Sequence, residues 1–337
     1  MEILVGNHNQ DTQHVPVLLN TILENIKPNG TWIDGTFGAG GYSRFLLEQG
    51  VDKVFAIDRD PLVINNSRIL EKDFPDQFTF LLGKFSEIER LVLDSKNDSK
   101  KFNGIVFDLG VSSMQLDQAN RGFSFLKEGP LDMRMSHTGP TAADLVNFAS
   151  EKILSNILYF FGEERASRRI AKAITARRKH LAFETTTDLA KLIESVLPRA
   201  KPGQSHPATR SFQALRIAVN KEYEELFNGL FSAEKVLLSD GYLVVVTFHS
   251  IEDRIVKRFI QARTGKLYST SRYLPESDVL PIQFTKITRK AVKPAASEIS
   301  VNSRARSAKL RIAKRTDFNP GKNLTFDQLS VPIFGEY

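Results

Sequence analysis

Four short apolar runs in the first third of the chain constrain its fold more than any other feature. Thr31–Asp34 (TWID), Lys53–Ile57 (KVFAI), Gln77–Leu82 (QFTFLL) and Gly104–Phe107 (GIVF) read as buried strands. Helical stretches separate them. Tyr42–Gln49 is stopped by Gly50, and Asp60 opens a second helix as N-cap, with Pro61 at its first position, running to about Leu70. Strands alternating with helices at this spacing imply a parallel, doubly wound sheet, because parallel neighbours need a crossover between them. The pattern stops near Asn120. From there to Ala214 no run reads as a strand, and Ile153, Ile157, Leu158 and Phe161 mark one helix, Leu189, Leu192, Ile193 and Val196 another. A third, marked by Phe212, Leu215, Val219, Tyr223 and Leu226, leads back toward the sheet. Gly241–Phe248 (GYLVVVTF) is the most β-rich run, and Lys309–Ile312 alternates with period two like a half-exposed edge strand. The expectation is an α/β chain in which residues 1–119 and 215–337 form one domain and 120–214 a helical insertion. The polar, irregular segment from Thr264 to about Lys293 reads as a long loop.

Doubly wound folds bind ligands beyond the carboxyl ends of their strands, and three of the expected strands end at a carboxylate: Asp34, Asp58 and Asp108. After the first comes Gly35-Thr36-Phe37-Gly38-Ala39-Gly40-Gly41, a turn in which glycines let the backbone approach a ligand near helix N-terminal amides. A dinucleotide fingerprint beginning at Gly38 needs glycine at position 43, and the chain has Ser43. An acid directly before the glycines, Asp34, instead suits the amino-acid end of S-adenosylmethionine, directly or through water. Asp58 can accept both ribose hydroxyls, a device that NAD enzymes share. These features point to an adenosine cofactor. An NAD-dependent oxidoreductase is the alternative enzyme, and Ser43 counts against it.

Hydrophobic residues make up 41% and charged residues 25% of the 337, the balance of an ordinary globular protein. The absence of cysteine excludes disulfides and zinc-cysteinate sites, and the six histidines show no ligand spacing, so no metal is expected. No run approaches the roughly 18 apolar residues of a membrane span. The stretch MEILVGNHNQDTQ lacks the basic region and apolar core of a signal peptide, which leads to the expectation of a cytoplasmic protein. The net charge of +7 suits a polyanionic partner, though many proteins are mildly basic without one. Its distribution is more telling. Arg165, Arg168, Arg169 and Lys172 share one helix face, with Arg177, Arg178 and Lys179 beyond and Ala166, Ile170, Ala173 and Ile174 as the buried side. Glu163 and Glu164 are the only nearby acids, which favours phosphate binding. Arg210 and Arg216 flank the return to the sheet and could line the same cleft.

Ten runs, in order, carry a specific resemblance. They are HVPVLLNTIL (from His14), DGTFGAGGYSR, AIDRDP, FDLGVSS, RGFSF, GPLDMRM, GEERASRRIAKAI, HPATRSFQALRI, FHSIEDRIVKRF and RARSAKLRI, ending at Ile312. The chain resembles the family called MraW or RsmH. The resemblance implies a class I, Rossmann-like methyltransferase sheet with an inserted helical domain for RNA recognition. It implies methyl transfer from S-adenosyl-L-methionine to N4 of a cytidine at the decoding site of 16S ribosomal RNA. The partner would be small-subunit RNA or the assembled 30S subunit, and the oligomeric state, a homodimer included, stays open. Cofactor contacts would fall on Gly40, Gly41 and Tyr42, with Gly38 in the same loop, and on Asp58; Phe85 would lie beside the adenine, and Asp108 and Gln115 would complete the site. The family usually has histidine at position 42 and proline at 114, where this chain has Tyr42 and Met114. Tyr42 can still contribute a backbone amide, and Met114 would alter the loop beside the target base.

A cytosine amine is a poor nucleophile because its lone pair is delocalised into the ring. A protein that methylates it must align the reacting atoms and offer an acceptor for the amine proton. Asp108 is the candidate catalytic acceptor. Amine-directed methyltransferases commonly place Asp/Asn-Pro-Pro-aromatic there, whereas this chain has Asp-Leu-Gly-Val-Ser-Ser. Ser112 and Ser113 could bond the substrate or cap a helix. His249 could contact the base or its phosphate, or simply pack, and Ser250-Ile-Glu-Asp253 reads as a capping box. Phe123 and Phe125 could stack on a splayed nucleotide or belong to the core. The candidate substrate contacts are therefore Ser113, Arg165, Arg169, Arg210 and His249. Two other readings remain: a non-catalytic ribosome-binding factor, against which the intact Asp34, Asp58 and Asp108 argue, and a protein methyltransferase, which suits a basic insertion less well.

Overall fold

Seven strands form one sheet in the order β3-β2-β1-β4-β5-β7-β6. They are β1 (Thr31–Asp34), β2 (Lys53–Asp58), β3 (Phe78–Leu82), β4 (Phe102–Asp108), β5 (Leu237–Thr247), β6 (Phe284–Lys286) and β7 (Lys309–Arg315). The computed structural model describes residues 16–95, 101–199, 203, 205–265 and 281–332. Strands β1 to β5 are parallel, and β7 runs antiparallel between β5 and β6. The chain leaves β1 toward β2 and β3 on one side and returns to β4 and β5 on the other. The crevice where a doubly wound sheet binds ligands thus lies between β1 and β4.

Alternation along each strand splits the core in two. Ile33, Phe55, Ile57, Ile105 and Phe107 pack on one face of the sheet. Trp32, Val54, Ala56, Val106, Val244 and Val246 pack on the other. Both faces are covered, so the strands read as uniform apolar runs rather than half-polar ones. Against the second face lie residues of α1 (Leu19–Asn25), α2 (Gly41–Glu48) and α3 (Ile64–Asp73). Asp60 caps the turn before α3 as expected, accepting the Leu62 amide at 3.1 Å, with Pro61 at the first position. The first face carries α4 (Ile88–Asp94) and is continuous with the core of a helical layer. After the short α5 (Ser113–Asp117), that layer comprises α6 (Ala142–Phe148), α7 (Glu151–Gly162), α8 (Ser167–Arg177), α9 (Thr186–Val196) and α10 (Thr209–Asn220).

Three expectations are corrected. The helix marked by Phe212 to Leu226 is two helices, α10 and α11 (Glu222–Val236), because Lys221 adopts a left-handed φ of +51°. Helix α10 packs on α6 and α7, while α11 packs on α4 and on α12 (Ser250–Arg263). The strand read as an edge is not one: Leu310, Ile312 and Ala313 of β7 are fully buried, and the three-residue β6 covers it. The buried side of α8 is Ser167, Ile170, Ala171 and Ile174, with Ala166 and Ala173 half-buried. Residues 266–280 of the expected loop, and His14 with the stretch before it, lie outside the described residues. The rest of that loop holds β6 and a bridge from Val292 to Leu310. Helices α13 (Ala296–Val301) and α14 (Phe326–Leu329) complete the chain.

Candidate active site

A cavity of about 720 Å³ opens beyond the carboxyl ends of β1, β2 and β4. Its floor is the turn after β1, pinned by the Gly35 amide on Val106 O (2.9 Å) and the Phe37 amide on Ile57 O (3.0 Å). Gly38 (φ +53°) and Gly40 (φ +83°) supply left-handed steps, the second at the N-cap from which α2 starts. Asp34 is wholly buried: Oδ1 accepts the Thr36 amide (3.1 Å) and Oδ2 accepts the Ser43 hydroxyl (2.7 Å). Ser43, where a dinucleotide fingerprint has glycine, thus anchors the acid that shapes the loop. Neither Asp34 nor Gly40 lines the cavity, so both position its floor; Gly38, Gly41 and Tyr42 line it. The Tyr42 hydroxyl donates to Val17 O (2.5 Å), tying the start of the described chain to the site.

Asp58 lines the cavity and holds its carboxylate between the Gly38 amide (Oδ2, 2.8 Å) and the Asp60 amide (Oδ1, 2.9 Å). Each oxygen keeps acceptor capacity for a further donor. Burial raises the carboxyls of Asp34 and Asp58 to about 6. Phe85 lines the cavity with its ring against Phe107 (centroids 4.8 Å apart) and above Gly229, where a Cβ would fall 2.4 Å from the ring. Asp108 lies at the end of β4 with its amide on Thr36 Oγ1 (2.6 Å), and its Oδ1 is buried without a hydrogen-bond partner. Burial, then the charges of Asp34 and Glu252, raises its carboxyl to about 8. Ser112 caps α5 in a box with Gln115, so the expected capping role holds for Ser112 while Ser113 lines the cavity. Gln115 also lines it, but its amide is spoken for: Oε1 accepts the Ser112 amide (3.1 Å) and Nε2 donates to Asp60 Oδ2 (2.9 Å). Met114 lines the same wall, its sulfur 3.2 Å from Asn66 Nδ2.

The other end of the cavity is built by α10, the segment after β5 and the start of the helical layer. Phe125 packs between His206 (4.5 Å) and Phe212 (4.8 Å), half-buried, whereas Phe123 belongs to the core. Arg216 lines the cavity in a two-pronged contact with Glu222 (both 2.8 Å). The capping box of α12 is shifted one residue from the expected one. His249 is the N-cap, its Nδ1 facing the Glu252 amide (3.5 Å), while Glu252 Oε2 accepts the amides of Phe248 and His249. An imidazole Nδ1 has the reach of an asparagine oxygen, which is why a histidine can take this place. His249 Nε2 sits 2.8 Å from Glu252 Oε1 in an alignment too poor for a hydrogen bond. Burial works against ionising Glu252, but His249, Arg216 and the Phe248 amide hold its carboxyl below the ordinary range. Ser250, freed from capping, donates to Glu163.

Arg165, Arg168, Arg169 and Lys172 are exposed as a stripe beside α7, outside the cavity lining. Arg210 is exposed and donates to Glu163 O (3.3 Å). Arg177 and Arg178 are structural: Arg177 grips Asp188 and stacks on Phe183, and Arg178 donates to Val146 O. Sequence reasoning missed the buried pair of Asp60 and Arg121 (2.8 Å), which ties the end of β2 to the first turn after α5. It missed Arg304, which lines the cavity and pairs with Asp117 (2.7 Å). The one signal for either was membership of the runs RGFSF and RARSAKLRI. Among the described residues no group of His, Asp and Glu is placed to hold a metal ion, and no helix is long and apolar enough to cross a membrane.

A parallel sheet with an antiparallel seventh strand between the fifth and sixth, a glycine turn after β1 and carboxylates closing β2 and β4 define a class I, Rossmann-like methyltransferase. Comparison with known proteins narrows the class. The model of the MraW methylase family matches residues 11–316. The chain is 54% identical over 324 residues to the Ribosomal RNA small subunit methyltransferase H of Ruegeria sp. (strain TM1040), covering 96% of each chain. It is 55% identical over 309 residues to the protein of that name from Roseobacter denitrificans, covering 91% of this chain and 92% of the relative. With that of Jannaschia sp. it shares 52% over 320 residues, 95% of this chain and 96% of the relative. The chain belongs to the MraW methylase family.

Proposed function

We propose that this protein methylates N4 of a decoding-site cytidine in 16S ribosomal RNA, with S-adenosylmethionine as the methyl donor. The observation that carries the reading is Asp108, whose buried Oδ1 lacks a partner in the cavity that also holds Asp58. A buried acceptor left unmade costs stability, so its persistence there suits a ligand that completes it. The residues present fit the cofactor. Asp58 would take the ribose hydroxyls with its remaining acceptor capacity, Phe85 would pack on the adenine, and the amides of the Gly38–Tyr42 turn would face the amino-acid end. When bound, S-adenosylmethionine supplies an electrophilic methyl group on a cationic sulfur.

The chain's own part is alignment and proton handling. Ionised Asp108 accepts a hydrogen bond from the cytosine amine, which localises the nitrogen lone pair, and then takes the displaced proton. A nearby cation favours that ionised form against the burial that opposes it. Phe125, half-buried between His206 and Phe212, is the ring best disposed to stack on a splayed base. Ser113 lines the same cavity, and His249 acts by fixing the start of α12 at the rim. The 120–214 segment would recognise RNA, with Arg165, Arg169 and Arg210 on its phosphates, while 1–119 and 215–337 hold the cofactor. The names of the relatives support the ribosomal substrate, and such a substrate implies a cytoplasmic site of action. The test is transfer of labelled methyl from S-adenosylmethionine to small subunits from cells lacking this protein. Nuclease-sensitive label is expected; S-adenosylmethionine bound without any transfer to RNA would sink the reading.

A further inference from the structure

Helix α12 leads from the cavity to a second concavity. His249 at its N-cap lines the first cavity, and Arg254, Lys257 and Gln261 follow along one accessible face. Eight to twelve residues beyond His249, about 12–18 Å at the helical rise, this face meets a smaller cavity of about 160 Å³. Among the described residues five cations line it, Lys257, Lys286, Arg289, Lys290 and Arg311, and no acid does. Asp253 engages Arg311 (2.7 Å) and Lys309 (3.4 Å). The side chains of Lys257, Arg289 and Lys290 make no ion pair or hydrogen bond among the described residues.

The turn that carries Arg289 and Lys290 is fixed rather than free to spread its charges. The Ile287 and Thr288 amides both donate to Ile312 O (3.0 and 3.2 Å), and Thr288 Oγ1 accepts the Ile312 amide (2.9 Å). Two residues on, Val292 exchanges hydrogen bonds with Leu310 (2.9 and 2.8 Å). Lys257, Arg289 and Lys290, held near one another without an acidic partner among the described residues, repel one another, whereas a bound polyanion reverses the sign of the interaction.

We propose that this cavity binds phosphates of the RNA backbone a few nucleotides from the methylated base, a second anchor apart from the basic stripe of α8. The inference rests on the RNA substrate proposed above. Placement beside α12 ties the anchor to the helix whose N-cap borders the active site, so it adds affinity for the strand that enters the cavity.

The experiment compares wild type with a Lys257→Ala/Arg289→Ala/Lys290→Ala variant, using small subunits from cells lacking the protein over a range of salt. These side chains are exposed and outside the active site. The expected result is a severalfold higher KM for subunits, with kcat and S-adenosylmethionine affinity unchanged. The log–log salt slope of binding becomes shallower by about 2, for three lost phosphate contacts on a single strand. A Lys257→Arg/Lys290→Arg variant keeps the charges and should behave as wild type. Equal KM and salt slope in the alanine variant would overturn the proposal, as would a charge-keeping variant as impaired as the alanine one. Capture of phosphatidylserine vesicles through the same residues, with subunit kinetics untouched, would overturn it in favour of a membrane surface. Failure of wild type itself to methylate subunits would instead sink the functional reading.

Discussion

Asp108 carries the most informative single charge. Its carboxyl is raised to about 8, and those of Asp34 and Asp58 to about 6, all chiefly by burial. The folded protein therefore binds protons at these sites more tightly than the unfolded chain does. Their contribution to stability is complete below about pH 4 and is lost as pH rises toward 8. A cationic ligand beside Asp108 favours the ionised form, so its binding releases a proton. Affinity for S-adenosylmethionine should rise from pH 6 to 8, by at most about tenfold per unit, and then level off. S-adenosylhomocysteine, which lacks the positive charge, should show a flatter curve, and Asp108→Asn should remove the difference; calorimetry across that range checks both. Gly229 tests the proposed placement of adenine against Phe85. Alanine favours a helix over glycine by roughly 1 kcal/mol, yet a Cβ here meets the Phe85 ring at 2.4 Å. Gly229→Ala should weaken cofactor binding severalfold while leaving the melting temperature nearly unchanged or lower. Unchanged affinity would remove Phe85 from the site.

Between elements, the link that matters most is the buried pair of Asp60 and Arg121, with Gln115 on the same carboxylate oxygen. It joins the end of β2 to the entry of the helical layer, and Arg121 also holds the carbonyls of Arg134 and Met135. Arg121→Met leaves Asp60 buried and unpaired and should cost about 3–5 kcal/mol by denaturant unfolding. Pairing it with Asp60→Asn should recover part of the loss; a loss below 1 kcal/mol would show the pair to be incidental. Nothing local in the sequence foretold this contact, because its partners are 61 residues apart. The strands and the glycine turn were legible because burial on both faces writes a local signature in TWID, KVFAI and GIVF. The break at Lys221 was not, since neither Asn220 nor Lys221 is a helix breaker and the left-handed step is imposed by packing. Asn220 is held at that corner by Met133, Met135 and the Arg59 guanidinium, contacts that only the fold supplies. The three-residue β6 left no period to read, so β7 looked like an edge. The capping box slipped by one because histidine is an uncommon cap.

At the scale of the whole molecule, the cavity joins a half built from the turns after β1, β2 and β4 to a half shared by α10, α12 and the helical layer. One continuous core runs beneath the sheet's first face and that layer, and on the proposed reading it would hold donor and acceptor in alignment. Exposed basic side chains lie on the stripe of α8 and around the small cavity beside α12, where the molecule would meet a polyanion. The central claim is that Asp108 serves methyl transfer to a cytosine amine. The most direct test digests small-subunit RNA after incubation with labelled S-adenosylmethionine and wild type, Asp108→Asn or Asp108→Ala protein, then identifies the labelled nucleoside. The account predicts label in N4-methylcytidine with wild type, lowered by orders of magnitude in both variants while cofactor remains bound. Label in another nucleoside, or undiminished N4-methylcytidine with Asp108→Ala, would contradict it.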